Sequence, residues 1–162
     1  MSEKTDLIAM LARQRGFLRH TAQALTDEQA ASRPTVSQLC IGGLIKHVRG
    51  VEESWLRFAV GGAELMNAGW EGQNWEDQHR MLPGETLDGL LEDYEETATK
   101  TEAIIATLDL DDEHPLPEAP WFPPGAKWSN RFVLQHVIAE TSQHAGHADI
   151  IRESIDGQKT MG

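Results

Sequence analysis

Apolar residues recur with a helical period in four long segments of this chain, about residues 6–25, 42–60, 86–108 and 130–155. In each segment they form one stripe with polar residues opposite, which is the pattern of a helix that packs one face against a core. The connections between the segments lack this period, and none of them contains a convincing strand. The pattern therefore predicts an all-α fold in which four amphipathic helices form a bundle.

The ends of the segments carry start and stop signals. Ser129 is a good N-cap for the fourth segment, and Gly157 is predicted to end it. Gly61 and Gly62 are predicted to close the second segment. The capping signature "TDEQ" at Thr26 predicts one short additional turn after the first segment.

Two connections are long. Residues 61–84 have no clear period, and a loop of this length in a compact domain is usually functional or covers a pocket. Trp70 and Trp75 make such a covering role our expectation for this loop. The later stretch "DLDDEHPLPEAPWFPPGAKW" is acidic and rich in proline, so it cannot continue a helix.

Length and composition narrow the class of protein. A chain of 162 residues predicts a single domain over residues 1–162. The formal net charge of −12 would repel phosphate backbones and anionic membranes, so we expect no nucleic-acid partner and no membrane partner. The lone Cys40 excludes an internal disulfide, and the N-terminal residues contain neither a signal peptide nor a membrane span. These features predict a cytoplasmic protein.

The fourth segment has a polar pair in the middle of its apolar stripe. Glu140 and His144 are four residues apart, which places their β-carbons about 5 to 6 Å apart on one helix face. His47 falls inside the apolar face of the second segment. If His47 faces the pair across the bundle, the three side chains supply N and O ligands with a position left open, as in a catalytic metal site.

A structural interpretation of the same residues stands beside the metal site. Glu140 and His144 can satisfy each other by a charge-assisted hydrogen bond, with His47 as an unrelated buried imidazole. A buried carboxylate without a compensating cation costs several kcal/mol, however. The inner stripe of the fourth segment has no Lys or Arg, since Arg152 is predicted to lie off it in a surface ion pair with Asp149.

Two stretches, "GGLIKHVRGVEESW" and "LQHVIAETSQHAGHADIIRE", resemble the signature regions of the DinB-like superfamily, in particular its mycothiol-dependent branch. The resemblance implies a DinB-like four-helix bundle that binds a divalent metal, usually zinc or nickel, through His47, Glu140 and His144. The carboxylate at position 140 is similar to that of mycothiol-dependent maleylpyruvate isomerase and of the mycothiol S-transferases. The isomerase carries an additional C-terminal domain, so the short chain favours the S-transferases.

The resemblance implies a chemistry for the site. A metal-bound thiolate, with mycothiol as the thiol cosubstrate, would attack a small electrophile such as an alkyl halide, an epoxide or an activated alkene. Two alternatives stay open, namely a non-catalytic bundle that binds a metal or small ligand, and a metal-dependent hydrolase or isomerase of the same fold. Pairing of two copies through helix faces, to give a homodimer, is also expected.

The remaining histidines, the lone cysteine and the tryptophans also have expected roles. His147 lies at the edge of the inner stripe, where it would orient a ligand, shuttle a proton, touch substrate or simply pack. His136 is expected to hydrogen-bond a neighbour, and His79 and His114 are expected to be solvated in polar loops. Cys40 is interpreted as a buried small hydrophobe. Core packing or loop anchoring is expected for most of the tryptophans, which are Trp55, Trp70, Trp75, Trp121 and Trp128.

Overall fold

Four long helices form the body of the protein in the computed structural model, which describes residues 2–160. The helix α1 (Glu3–Thr21) packs against α4 (Leu87–Thr107) and α5 (Asn130–Asp156). The helix α3 (Ile41–Ala68) also packs against α4 and α5, so α1 and α3 lie diagonally across the bundle. This confirms the predicted all-α bundle. The predicted domain limits at residues 1 and 162 lie outside the described residues. In chain order the elements are α1 (Glu3–Thr21), α2 (Asp27–Ala31), α3 (Ile41–Ala68), a 3-10 turn (Glu76–His79), α4 (Leu87–Thr107), β1 (Glu113–Pro115), β2 (Lys127–Ser129) and α5 (Asn130–Asp156).

Side-chain caps start several of these helices where the sequence predicted them. The Ser129 Oγ accepts a hydrogen bond from the Phe132 N–H (3.2 Å) and begins α5. At the other end of α5, Gly157 has a φ of 79°, the left-handed conformation that glycine adopts at little cost. Thr26 and Gln29 form a reciprocal capping box at the start of α2. Each cap satisfies backbone groups that a helix end leaves without partners.

The second predicted helix runs further than its sequence indicated. Gly61 and Gly62 have non-helical backbone angles, with a φ of 69° at Gly62, but helical structure resumes and α3 ends at Ala68. The two glycines thus bend α3 instead of ending it. A built Cβ at position 62 would also lie 3.4 Å from the His114 ring, which packs against this bend.

A two-stranded antiparallel sheet was not predicted. Strands β1 and β2 pair with Glu113 opposite Ser129, and the proline-rich segment between them forms their connection. Strands of three residues are too short to show an alternating pattern, so no strand signal is visible in the sequence. His114 on β1 is half-buried and donates from Nε2 to the Ala59 carbonyl (3.1 Å), so the expectation that it is solvated was wrong.

The apolar core is divided by a layer of buried polar side chains. One apolar cluster contains Leu18 and Val48 and the other contains Leu11 and Leu56. Between them Arg15 on α1 reaches Glu52 on α3, with Nη2 to Oε1 at 2.6 Å and Nε to Oε2 at 3.1 Å. The Thr101 hydroxyl of α4 donates to the same Glu52 Oε1 at 2.5 Å. The three side chains join three helices at mid-height in the bundle.

Arg152 is buried, with 3% of its surface exposed, and the predicted surface ion pair with Asp149 was wrong. Its Nη1 donates to the carbonyl oxygens of Thr21 (2.8 Å) and Gln23 (2.7 Å), and its Nε donates to Asp156. Arg152 therefore connects the end of α5 to carbonyl groups at the end of α1, where helical backbone lacks partners.

Within residues 2–160, no helix is both long enough and apolar enough to cross a membrane.

Candidate metal centre

Three candidate ligands meet at the contact between α3 and α5. His47 lies in the second turn of α3, and Glu140 and His144 lie on successive turns in the middle of α5. One ligand atom from each of the three side chains lies within 4.8 Å of the other two. The ring centroids of His47 and His144 are 4.8 Å apart, and the rings meet edge to face at 86°. Packing of the two helices thus brings together residues separated by about ninety positions in the chain.

The three side chains are buried to different extents. His47 is 7% exposed, whereas the side chains of His144 and Glu140 are 15% and 29% exposed. The α5 side of the cluster therefore faces solvent more than the α3 side does. Within residues 2–160, no Lys or Arg forms an ion pair with Glu140, whose nearest titratable partner is His144 Nε2 at 3.6 Å.

Burial keeps the two imidazoles neutral. Desolvation, together with the neighbouring His79 and His144, lowers the pKa of His47 to about 4. Desolvation also lowers the pKa of His144, although Glu140 opposes the change. A neutral imidazole has a nitrogen lone pair available to a cation. The separation of 3.6 Å is too long for a hydrogen bond, so a charge-assisted bond between Glu140 and a protonated His144 is disfavoured.

His147 contacts the ring of His144 from the next turn of α5. The two Nδ1 atoms are 3.2 Å apart, so one ring donates and the other accepts. This contact leaves the Nε2 of His144 on the side of Glu140. Hydrogen bonding of the second ring nitrogen is how metal-binding histidines are commonly oriented. His147 thus lies where it could orient the His144 ring.

A segment of the α3–α4 connection lies over His47. We call residues 75–81 the cover segment; it includes the 3-10 turn. The His79 ring stacks on the His47 ring with centroids 4.3 Å apart and planes inclined by 28°. Trp75 meets His47 edge to face at 6.0 Å. The expectation that His79 is solvated was wrong, because the four-residue turn is too short to give a periodic signal that would reveal its inner face.

The connection is anchored before it reaches the cover segment. The Trp70 indole Nε1 donates to the Ser54 hydroxyl of α3 at 2.7 Å. The Asn74 Oδ1 accepts a hydrogen bond from the Glu76 N–H at 2.9 Å, just before the 3-10 turn. Trp70 thus has the predicted anchoring role, whereas Trp75 and Trp121 are 61% and 75% exposed.

Aromatic side chains continue from Glu140 toward the β-strands. We call Trp55, Trp128, Phe132 and His136 the aromatic wall. His136 lies one turn before Glu140, with its ring centroid 4.9 Å from Trp55 and 5.0 Å from Trp128. Trp55 and Trp128 stack at 4.7 Å, and Phe132 lies 4.6 Å from Trp128 with 48% of its surface exposed. Burial lowers the pKa of His136. The hydrogen bond predicted for His136 is not found in the described part of the chain; its ring packs against indoles instead.

The donor set of the cluster fits a divalent cation. Two neutral imidazoles and one carboxylate, with no Lys or Arg paired to the carboxylate within residues 2–160, form the mixed N/O set that such ions take. A bound cation would also compensate the charge of a carboxylate that is more than two-thirds buried.

Comparison with known proteins assigns the family. The family model described as Mycothiol-S-transferase matches residues 6–157. The chain belongs to the mycothiol S-transferase family. This confirms the resemblance seen in the two signature stretches. The family name indicates a small-molecule thiol as the class of substrate.

A solved structure supports the fold independently. The crystal structure described as the conserved protein of locus from Enterococcus faecalis is similar to this chain with a TM-score of 0.71. The similarity covers 98% of this chain and 99% of that chain at 16% sequence identity, and at this identity it bears on the fold alone. No curated protein matches the chain.

Proposed function

We propose that this protein is a metal-dependent S-transferase that joins a low-molecular-weight thiol of the mycothiol type to a small electrophile. The observation that carries the proposal is the meeting of His47, Glu140 and His144, with ligand atoms within 4.8 Å of one another. Membership in the mycothiol S-transferase family supports the thiol as cosubstrate.

His47, Glu140 and His144 are the proposed ligands, and zinc is the proposed metal, with nickel as the second choice. Imidazole and carboxylate ligands suit both ions. A bound divalent cation would lower the pKa of a thiol placed beside it, so that the sulfur is a thiolate at neutral pH. Three protein ligands leave room for that sulfur, whereas a structural zinc site uses four.

The proposed reaction forms one bond from sulfur to carbon. The thiol loses its proton to solvent, and the sulfur electron pair forms an S–C bond with the electrophilic carbon. With an alkyl halide, the carbon–halogen bond breaks and halide leaves with its electron pair. With an epoxide, the C–O bond breaks and the oxygen takes a proton from solvent. With an activated alkene, the second alkene carbon takes the proton.

The protein side chains around the proposed ligands divide the remaining work. His147 holds the His144 ring through the contact between their Nδ1 atoms at 3.2 Å. The cover segment shields the His47 side from water. The aromatic wall begins one turn from Glu140, and its half-exposed Phe132 offers apolar surface to the carbon part of an electrophile.

Two measurements on the purified full-length protein test this proposal. Elemental analysis is expected to find a divalent metal in stoichiometric amount, which Glu140→Gln and His144→Ala lose. Mycothiol and an electrophile panel of halide, epoxide and alkene types are then supplied, and loss of free thiol is followed with and without a chelator. Thiol consumption that requires the metal supports the proposal. A fully loaded protein that conjugates none of the panel would instead indicate a non-catalytic binding bundle, or a hydrolase or isomerase of the same fold.

Two further features belong to the same proposal. We propose a cytoplasmic location, where low-molecular-weight thiols are kept reduced. We also propose a homodimer, which size-exclusion chromatography with light scattering would test directly.

A further inference from the structure

The first turn of α3 admits the cover segment because two of its residues have no side chain. A Cβ built at Gly43 would lie 2.9 Å from the Arg80 amide nitrogen and closer still to the His79 carbonyl group. These are backbone atoms, so they cannot move aside as a side chain does. A Cβ at Gly42 would lie 2.6 Å from Cγ of Met81, which is flexible. Position 43 is therefore the stricter of the two requirements for close approach.

Cys40 contributes to the same contact. Its Sγ accepts a hydrogen bond from the Gly43 N–H at 3.4 Å and caps α3. Its S–H donates weakly toward the His79 carbonyl oxygen at 4.0 Å. At the other end of the 3-10 turn, the Nδ1 of His79 lies 3.2 Å from the Trp75 carbonyl oxygen. The backbone of His79 is thus held against α3, and its ring is held by a carbonyl group of the cover segment itself.

His47 is oriented by packing and not by hydrogen bonds. None of the hydrogen bonds within residues 2–160 involves its ring, whereas the His144 ring contacts His147 through Nδ1. The face of the His47 ring is covered by His79 at 4.3 Å, and Trp75 and His144 meet it edge to face. A metal-binding histidine usually has a partner that fixes its ring. In this site that partner is a stacked ring.

We propose that His79 is a positioning residue, which holds the His47 ring toward Glu140 and His144. The absence of a side chain at Gly43 lets the His79 backbone contact α3. The proposal rests on the proposed function of His47 as a metal ligand. His79 itself is not a ligand in this arrangement, because the atoms that converge within 4.8 Å come from His47, Glu140 and His144.

Metal affinity and metal spectroscopy test the proposal. The dissociation constant for Zn²⁺ is measured by competition with a chromophoric chelator, and the visible absorption of Co²⁺ reports the ligand geometry. We expect His79→Ala and Gly43→Ala to weaken Zn²⁺ binding about tenfold and to change the Co²⁺ spectrum. His79→Phe keeps a flat ring over His47 and is expected to bind Zn²⁺ within about threefold of wild type.

Gly50→Ala is the matched control for Gly43→Ala. It lies on the same helix beneath the same loop, but its added Cβ would be 3.6 Å from the Gln78 Oε1, an ordinary contact. We expect Gly50→Ala to bind both metals as wild type does. Thermal melting of the metal-free proteins shows whether each variant is folded, and the two His79 variants decide the outcome if Gly43→Ala does not fold.

Three results would overturn the positioning role of His79. If the wild-type protein binds Zn²⁺ and His79→Ala binds it with the same affinity, the positioning role is wrong while the proposed function stands. Equal losses in His79→Phe and His79→Ala also overturn it, because a ring nitrogen would then be what matters. A wild-type protein that binds neither metal overturns the proposed function, and the positioning role falls with it.

Discussion

Arg15 and Glu52 form a doubly hydrogen-bonded ion pair in the interior of the bundle, where their side chains are 4% and 0% exposed. The pair lies between the two apolar clusters, and the Thr101 hydroxyl completes it. A buried ion pair adds little net stability over apolar residues of the same shape, but loss of one partner leaves a buried charge without compensation. The main effect of the pair on the free energy of unfolding is therefore the loss of stability when one partner is removed.

We predict that Glu52→Ala lowers the free energy of unfolding by about 3 kcal/mol, because the buried Arg15 guanidinium then keeps only the half-exposed Glu102, 3.3 Å from its Nη1, as an ionic partner. Replacement of both residues, as Arg15→Met with Glu52→Leu, is expected to cost less than Glu52→Ala alone. Urea denaturation followed by circular dichroism measures both. The control is Glu96→Ala, which breaks an ion pair with Lys100 whose side chains are 73% and 72% exposed. An equal loss in Glu96→Ala would contradict the prediction.

Arg152→Ala is predicted to destabilise the protein by about 1–3 kcal/mol, because carbonyl groups of Thr21 and Gln23 lose their buried donor. Hydrogen exchange is expected to increase most at the end of α5 and at the end of α1. Arg33→Ala is the comparison, since Arg33 is exposed and, among residues 2–160, its side chain donates only to the nearby Gln38 side chain. A change in Arg152→Ala no larger than in Arg33→Ala would show that the bridge has no role in stability.

His147→Ala is predicted to weaken metal binding about tenfold with little effect on folding, because His144 loses the ring that fixes its orientation. His147→Gln keeps a hydrogen-bonding side chain and is expected to recover part of the affinity. Isothermal titration with Zn²⁺ measures the dissociation constants, with the exposed Gln143→Ala on the same helix as control. Wild-type affinity in His147→Ala would assign His147 to packing.

Acid is predicted to destabilise the metal-free protein through His47. Burial lowers the pKa of His47 in the folded state to about 4 from its ordinary 6.5. As the pH falls below 6.5, the unfolded chain takes up a proton that the folded protein does not, so stability declines until about pH 4. The difference corresponds to about 3 kcal/mol. Above pH 6.5, His47 makes no pH-dependent contribution.

His47→Gln tests this prediction because glutamine does not titrate. The free energy of unfolding of the metal-free wild type and variant is measured between pH 7 and pH 4. We expect the stability of the wild type to fall more steeply than that of the variant across this interval. Parallel curves would show that another group is responsible for acid sensitivity.

The sequence by itself determined what depends on near neighbours along the chain. The helical period located the long helices, and Ser129, Thr26 and Gly157 marked ends that the structure confirms. The proximity of Glu140 and His144 followed in the same way, because a helix places residues four apart on one face. Backbone geometry within a few residues was sufficient for all of these predictions.

Tertiary structure decided the contacts between residues far apart in the chain. Arg15 and Arg152 are buried because Glu52 and the Thr21 carbonyl satisfy them, and neither partner is adjacent in sequence. His79 belongs to a short turn whose inner face has no periodic signal, and only its packing on α3 places it over His47. A polar side chain can be buried when a hydrogen-bonding partner lies next to it, and helix packing determines which partner that is. The meeting of His47 with Glu140 and His144 has the same physical origin.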